Sequence, residues 1–257
     1  MSTMNKKLIS KIKKYVVDHI EEFHDARLKG LDNLRLKKVL KDKNPYLYKA
    51  KNQGSACAIV KGILDSHLSS SEESMFGDWL EGLAIFVAGE VYGGKKSSAP
   101  GIDLEFDKEG IRYIVSIKSG PHWGNKSQFD KMKADFKSAI RTLHTSKSKL
   151  HVQAVNGCCY GKDGSPDKGE YLKLCGQDFW EFISGEERLY LEIIEPLAEK
   201  AKERNETFNK KYDCKLDGFV VEFLKEFASA DGSVDWQKLV AFNSGRKVCA
   251  AKCCKGK

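Results

Sequence analysis

The spacing of apolar residues divides the chain into helical and strand-forming stretches. Leu8, Ile12, Tyr15, Val16, His19, Ile20 and Phe23 recur every three or four positions with lysines on the other face, which predicts an opening amphipathic helix ending near Gly30. Asn44-Pro45 marks a turn before Tyr46-Leu47-Tyr48, and Ile59, Val60, Ile63 and Leu64 predict a second helix over Cys57–Leu68. Ser69-Ser70-Ser71, followed by Glu72 and Glu73, carries the hydroxyls and first-turn acids of a helix start. A third helix is therefore predicted from there to Glu90, stopped by Gly93-Gly94.

Branched and aromatic residues next predict strands over Ile102–Phe106 and Ile111–Lys118, joined by the turn Asp107-Lys108-Glu109-Gly110. A loop from Ser119 to Lys126 leads to a predicted helix over Ser127–Leu143, then to strands over Leu150–Tyr160 and Tyr171–Leu174. Further helices are expected at Phe179–Ile183, ended by Gly185, at Leu189–Lys211, at Phe219–Phe227 and at Asp235–Phe242. The fold class is α/β. We expect one domain over residues 1–257, with a basic helical annex at 1–68, a core at 69–185 and carboxyl-terminal helices at 186–257.

Composition adds exclusions. With 41% hydrophobic and 31% charged residues the chain is globular rather than disordered. It contains no apolar run of eighteen residues, and its lysine-rich start lacks a small-residue cleavage site, so neither a membrane span nor a signal peptide is expected and the location expected is the cytoplasm. Residues 1–52 hold fourteen Lys or Arg against six Asp or Glu, equal to the +8 of the whole chain. Such a region attracts a polyanion by counterion release, although a solvated lysine face has the same composition. The eight cysteines, with no secretory signal, are expected as free thiols. Cys249, Cys253 and Cys254, with Cys214 upstream, lack the paired C-x-x-C spacing of a zinc site.

The chemistry is concentrated in the first hairpin. Side chains alternate along a strand, so Asp103 and Glu105 project together, as do Ser116 and Lys118. A carboxylate that can ligate a hard divalent cation is thereby set beside an ammonium that can handle a water molecule. A lysine at the end of the apolar run Tyr113–Ile117 needs a partner to offset its desolvation.

Pro100-Gly101-Ile102-Asp103 with Ser116-Ile117-Lys118 resembles the PD-(D/E)xK nuclease superfamily. Asn44-Pro45-Tyr46-Leu47, Phe76-Gly77, Leu80-Glu81, Ser119-Gly120-Pro121, Trp123-Gly124-Asn125 and Cys158-Cys159-Tyr160-Gly161 extend the resemblance to type II restriction endonucleases, in a group similar to PmeII. The resemblance spans residues 44–185 and implies a restriction-endonuclease-like mixed central sheet flanked by helices. It also implies Mg²⁺-dependent, sequence-specific hydrolysis of double-stranded DNA leaving 5′-phosphates, a homodimer, and a cognate DNA methyltransferase as genetic partner. Ser116 departs from the pattern, which places an acid there. Glu81, then Glu105, then Asp130 are the candidates to supply it, and Asp103 with Glu81 is the expected metal pair. For DNA contact the resemblance and the loop chemistry point to Trp123, Asn125, Lys126, Gln128 and Lys131, with Asn156, Lys162 and Asp163 as candidate readers beyond the third strand. Two other readings remain open: a structure-specific DNA repair nuclease, and a DNA-binding protein on an inactive form of the same fold.

Overall fold

The computed structural model describes residues 5–145 and 151–246. Its elements, in chain order, are α1 (Lys6–Asn33), α2 (Leu36–Lys41), α3 (Pro45–Ala50), α4 (Ala56–Tyr92), β1 (Lys95–Lys96), β2 (Leu104–Lys108), β3 (Ile111–Lys118), α5 (Lys126–Thr145), β4 (His151–Cys158), β5 (Leu172–Cys175), α6 (Gln177–Ser184), α7 (Leu189–Glu192), α8 (Ile194–Leu197), α9 (Ala201–Phe227) and α10 (Trp236–Ser244). Two compact units result, one from residues 1–26 and 73–204 and the other from residues 27–72 and 205–257.

The first unit is built on a mixed sheet ordered β1-β2-β3-β4-β5, antiparallel from β1 to β3 and parallel from β3 to β5. The expected helix, strand, strand, helix, strand order is present, and β3 has the expected limits. Its register with β2 is set by a two-residue turn in which Glu109 and Gly110 have φ of 53° and 77°. Positive φ at both positions is the type I′ geometry, whose twist matches that of paired strands. Asp107 lies opposite Arg112 and accepts two hydrogen bonds from it, at 2.7 and 2.8 Å. That guanidinium holds the Asp107 carboxyl below its ordinary range.

Ile114 to Ile117 are all buried, the pattern of a strand covered on both faces. Val115 and Ile117, with Leu104, Phe106 and Val155, pack on Ile12, Val16 and Ile20 of α1, Leu83 and Val87 of α4, and Phe179 of α6. Ile114 and Ala154, with Ile102, pack on the opposite face against Met132, Phe136 and Ala139 of α5. The second unit is helical. Leu31, Leu36, Val39, Ile59, Ile63, Phe223, Phe227 and Leu239 form its core, and Arg27 pairs with Glu72 at 2.8 Å while lying over the Phe208 ring.

Several expected boundaries are corrected. The helices predicted over Cys57–Leu68 and from Ser69 onward are one continuous helix, α4. Ser70 donates to the carbonyl of Ser66, so its hydroxyl is satisfied inside the helix and caps nothing. Gly93, at φ 66°, ends α4, and the Gly94 N–H returns to the Ala88 carbonyl. Gly30 lies within α1, which buries Leu31. The helix expected over Leu189–Lys211 is broken into α7, α8 and α9, with Lys200 at φ 56° before the last of these, and α9 then continues unbroken past Gly218. The two-residue edge strand β1 was not expected, and its exposed lysines are typical of an edge that resists further pairing. Among the described residues no helix is long and apolar enough to cross a membrane.

Gly157 sits on β4 where an added Cβ would lie 2.2 Å from the buried ring of Phe179. Gly157→Ala is expected to destabilise the protein by about 1–3 kcal/mol through overpacking. In urea unfolding the cost should shrink when Phe179→Leu is present, and equal costs in both backgrounds would show that the ring is not the obstacle.

Candidate active site

The site lies where the β2–β3 ladder runs out. The Asp103 N–H bonds the Val115 carbonyl at 2.9 Å, and no residue of β2 remains to receive the next inward N–H of β3, that of Ile117. The Asp103 carboxylate takes it instead: Oδ2 accepts from Ile117 N at 2.7 Å. The same oxygen accepts from the Ser116 hydroxyl at 3.5 Å and lies 3.6 Å from Lys118 Nζ. Lys118 also donates to the Ile117 carbonyl at 2.8 Å and lies 5.5 Å from the centre of the Trp123 ring. Asp103 and Lys118 are 22% and 31% exposed, so the pair is partly desolvated yet reachable from solvent.

Trp123 is fixed by a residue that sequence reasoning misassigned. Its indole N–H donates to Asn156 Oδ1 at 3.2 Å, and Asn156 Nδ2 donates to the Ser116 carbonyl at 3.2 Å. Asn156 is fully buried with its amide occupied on both sides, so it cannot read a base. An amide between Val155 and Gly157, in an otherwise apolar run from Ala154 to Cys159, was the available signal, because a buried amide must be satisfied by neighbours. Asp163 is likewise engaged, by Lys168 at 2.8 Å and Lys173 at 3.5 Å, while Lys162 is exposed.

The candidate acids lie in different settings. Glu81 is 24% exposed and pairs with Lys96 of β1 at 3.3 Å. Ser97, next along the chain, donates its N–H to the Asp103 carbonyl at 3.3 Å, which brings the Glu81–Lys96 pair beside the hairpin. Gly77, one turn before Glu81, faces Ser119 just past β3: an added Cβ there would lie 3.4 Å from Ser119 Cβ, an ordinary contact. A buried thiol senses the same arrangement. Burial pushes Cys159 up to about 12, with the Glu81 carboxylate raising it further and the Lys118 ammonium lowering it. Glu105 instead accepts from the Ser97 hydroxyl. Asp130 is exposed and held by Lys126 at 2.7 Å, a contact that keeps its carboxyl below the ordinary range.

The substrate-side candidates divide similarly. Asn125 caps α5, its Oδ1 accepting from Gln128 N at 3.2 Å, while Gln128 Oε1 accepts from Asn125 N at 2.8 Å. This reciprocal capping box uses both side chains. Lys126 and Lys131 are exposed at the start of the helix. Of the tail cysteines raised above, Cys249, Cys253 and Cys254 lie outside the described residues, and Cys214 is exposed on α9.

Among the described residues no group of three His, Cys, Asp or Glu side chains is gathered as a metal site. The donors present nevertheless suit a hard cation. The Lys118 ammonium contacts the Ile117 carbonyl and approaches the Asp103 carboxylate, so two oxygens already face one positive charge, with the Glu81 carboxylate on the neighbouring helix. An ion that takes few carboxylates and keeps several waters matches such a set.

A family model described as type II restriction endonuclease EcoO109I matches residues 10–205. No curated protein matches the chain.

Replacing Asn156 with Leu leaves the Trp123 N–H and one acceptor on Ser116 unpaired. The expected loss of stability is about 1–3 kcal/mol, together with a shift of Trp123 fluorescence measured in a background where the other three tryptophans are Phe. An unchanged unfolding midpoint would remove Asn156 from the description of the site.

Proposed function

Because the chain belongs to the type II restriction endonuclease EcoO109I family and is thus a site-specific deoxyribonuclease, we propose that it hydrolyses both strands of double-stranded DNA with Mg²⁺, leaving 5′-phosphates, as a homodimer on a short palindromic site. The observation that carries the reading is the Asp103–Lys118 pair at 3.6 Å across β2 and β3. Two copies of one site related by a two-fold axis account for cutting both strands. A cognate methyltransferase is the expected genetic partner, and the cytoplasm the expected location.

Asp103 and the Ile117 carbonyl would hold the metal together with Glu81, which we assign the place left open by Ser116. Glu105 and Asp130 rank below it: Glu105 is held by the Ser97 hydroxyl and Asp130 by Lys126 at 2.7 Å, against the longer 3.3 Å contact of Glu81 with Lys96. Once bound, Mg²⁺ supplies a Lewis acid that lowers the pKa of a water and offsets charge on the phosphate. Lys118 orients the attacking water and stabilises the added negative charge on the phosphate oxygens. The water oxygen bonds to phosphorus opposite the O3′ atom, the P–O3′ bond breaks, and O3′ takes a proton. The phosphate therefore stays on the 5′ side. Ser116 serves to steady Asp103 through its hydroxyl, and the ring of Trp123 shields the lysine from bulk water.

Lys126 and Lys131 would contact DNA phosphates, and Asn125 with Gln128 would hold the loop that presents them. Charge supports a wider footprint. The helical unit carries twenty Lys or Arg against eleven Asp or Glu, more than the +8 of the chain, so it is the unit that draws the polyanion.

Incubated with phage DNA and Mg²⁺, the purified protein is expected to give discrete fragments whose ends ligate without phosphorylation, and to give none with EDTA. Lys118→Ala should slow cleavage by about 10²–10³-fold, and Glu81→Gln should raise the Mg²⁺ concentration needed for half-maximal rate. Unaltered cutting by Lys118→Ala would sink the site, whereas a smear or junction-specific cutting would favour a structure-specific nuclease.

A further inference from the structure

The mechanism leaves unused a pair of buried thiols at the ends of the parallel strands. Cys158 of β4 and Cys175 of β5 are direct register partners, 0% and 3% exposed. Neighbouring strands lie about 4.7–4.9 Å apart, which falls inside the Cα separation of disulfides, about 4.4–6.8 Å. Register partners in a parallel pair also point to the same face of the sheet. The Gly176 N–H bonds the Cys158 carbonyl at 2.9 Å, which fixes the strand ends.

We infer that Cys158 and Cys175 form a redox-active dithiol that a low-molecular-weight disulfide oxidises to a cross-strand disulfide beside the active site. The two sulfurs are not equivalent. Cys175 is one of the residues that line a cavity of about 700 Å³, with Gln177, Asp178 and Tyr190, and Cys158 is not among that cavity's lining residues. Burial raises both thiols. The rise is larger for Cys158, the more deeply buried of the two, so Cys175 is the better nucleophile.

The exchange then has a fixed order. The Cys175 thiolate attacks one sulfur of the small disulfide and expels the first thiolate, giving a mixed disulfide. The expelled thiolate takes up the proton of Cys158, whose sulfur attacks that of Cys175 and expels the second, which takes from solvent the proton that Cys175 released on forming its thiolate. The protein pair loses two electrons, and the small disulfide gains them as two thiols.

The bond would reach the site by two routes. Cys158 is the register partner of Lys118, and its sulfur lies 4.0 Å from the Asn156 oxygen that receives the Trp123 N–H. Drawing Cys158 toward β5 alters both. This effect on cleavage rests on the function proposed above, whereas formation of the disulfide does not.

The test treats the full chain with oxidised glutathione under native conditions and maps thiols by mass. The expected product is lighter by two hydrogens, with the peptide holding Cys158 joined to that holding Cys175. The link should survive Cys159→Ser and vanish in Cys175→Ser. Oxidised protein should cleave DNA more slowly, by up to about 10²-fold if the site shifts by an ångström, with full recovery in dithiothreitol and no response in Cys175→Ser. Absence of the link, or a glutathione adduct that never resolves, would overturn the dithiol. A quantitative link with an unchanged rate would overturn its coupling to the site, and inactivity of the reduced protein as well would count against the proposed function while leaving the mass result intact.

Discussion

The hydrogen bond from the Ile117 N–H to the Asp103 carboxylate, at 2.7 Å, is the interaction on which the site depends. A bond to a charged acceptor contributes about 1.5–3 kcal/mol, and this one continues the β2–β3 ladder with a side chain where backbone partners end. It fixes three things together: the start of β2, the peptide whose carbonyl meets Lys118, and the orientation of the one carboxylate that Lys118 approaches. On the other side of β3 a second side chain works in the same way. Asn156 ties the Ser116 carbonyl to the Trp123 indole, so both edges of the strand end are held by polar groups from neighbouring strands or loops.

Much of this was legible in the chain because its causes are local. The limits of β3 follow from an uninterrupted branched run, and the pairing of Asp103 with Lys118 follows from the alternation of side chains across a short hairpin. The parts that were not legible depend on partners distant in sequence. Ser69-Ser70-Ser71 carries a helix-start pattern, yet α4 runs through it, since Ser70 finds its acceptor four residues back. Asn156 reads as a surface amide until the fold buries it between Ser116 and Trp123. Asn125 and Gln128 show capping-box spacing, and each accepts from the other's backbone N–H as at a helix start.

With Glu81 in the role proposed for it, the site would keep its form while the acid moves from the strand position of Ser116 to a helix. Ser116 is buried between strands, where a carboxylate would need partners of its own. Glu81 stands on a helix whose Gly77 faces Ser119 at the strand end, and its charge is met by Lys96 from the edge strand. In that proposed role the acid would approach the hairpin from solvent-facing structure and leave the sheet interior apolar. The same region concentrates free thiols, because small, weakly polar residues fill the crowded junction of β4, β5 and α6 without demanding hydrogen bonds.

The turn at Glu109-Gly110 has a consequence for how the chain can vary. Two residues at positive φ, bracketed by Asp107 and Arg112, leave the hairpin no slack. A single added residue there would have to be absorbed as a bulge or passed along the strand, and passing it along would turn Lys118 to the opposite face of the sheet. Length variation is thus least tolerated at the end of the hairpin furthest from the Asp103–Lys118 pair.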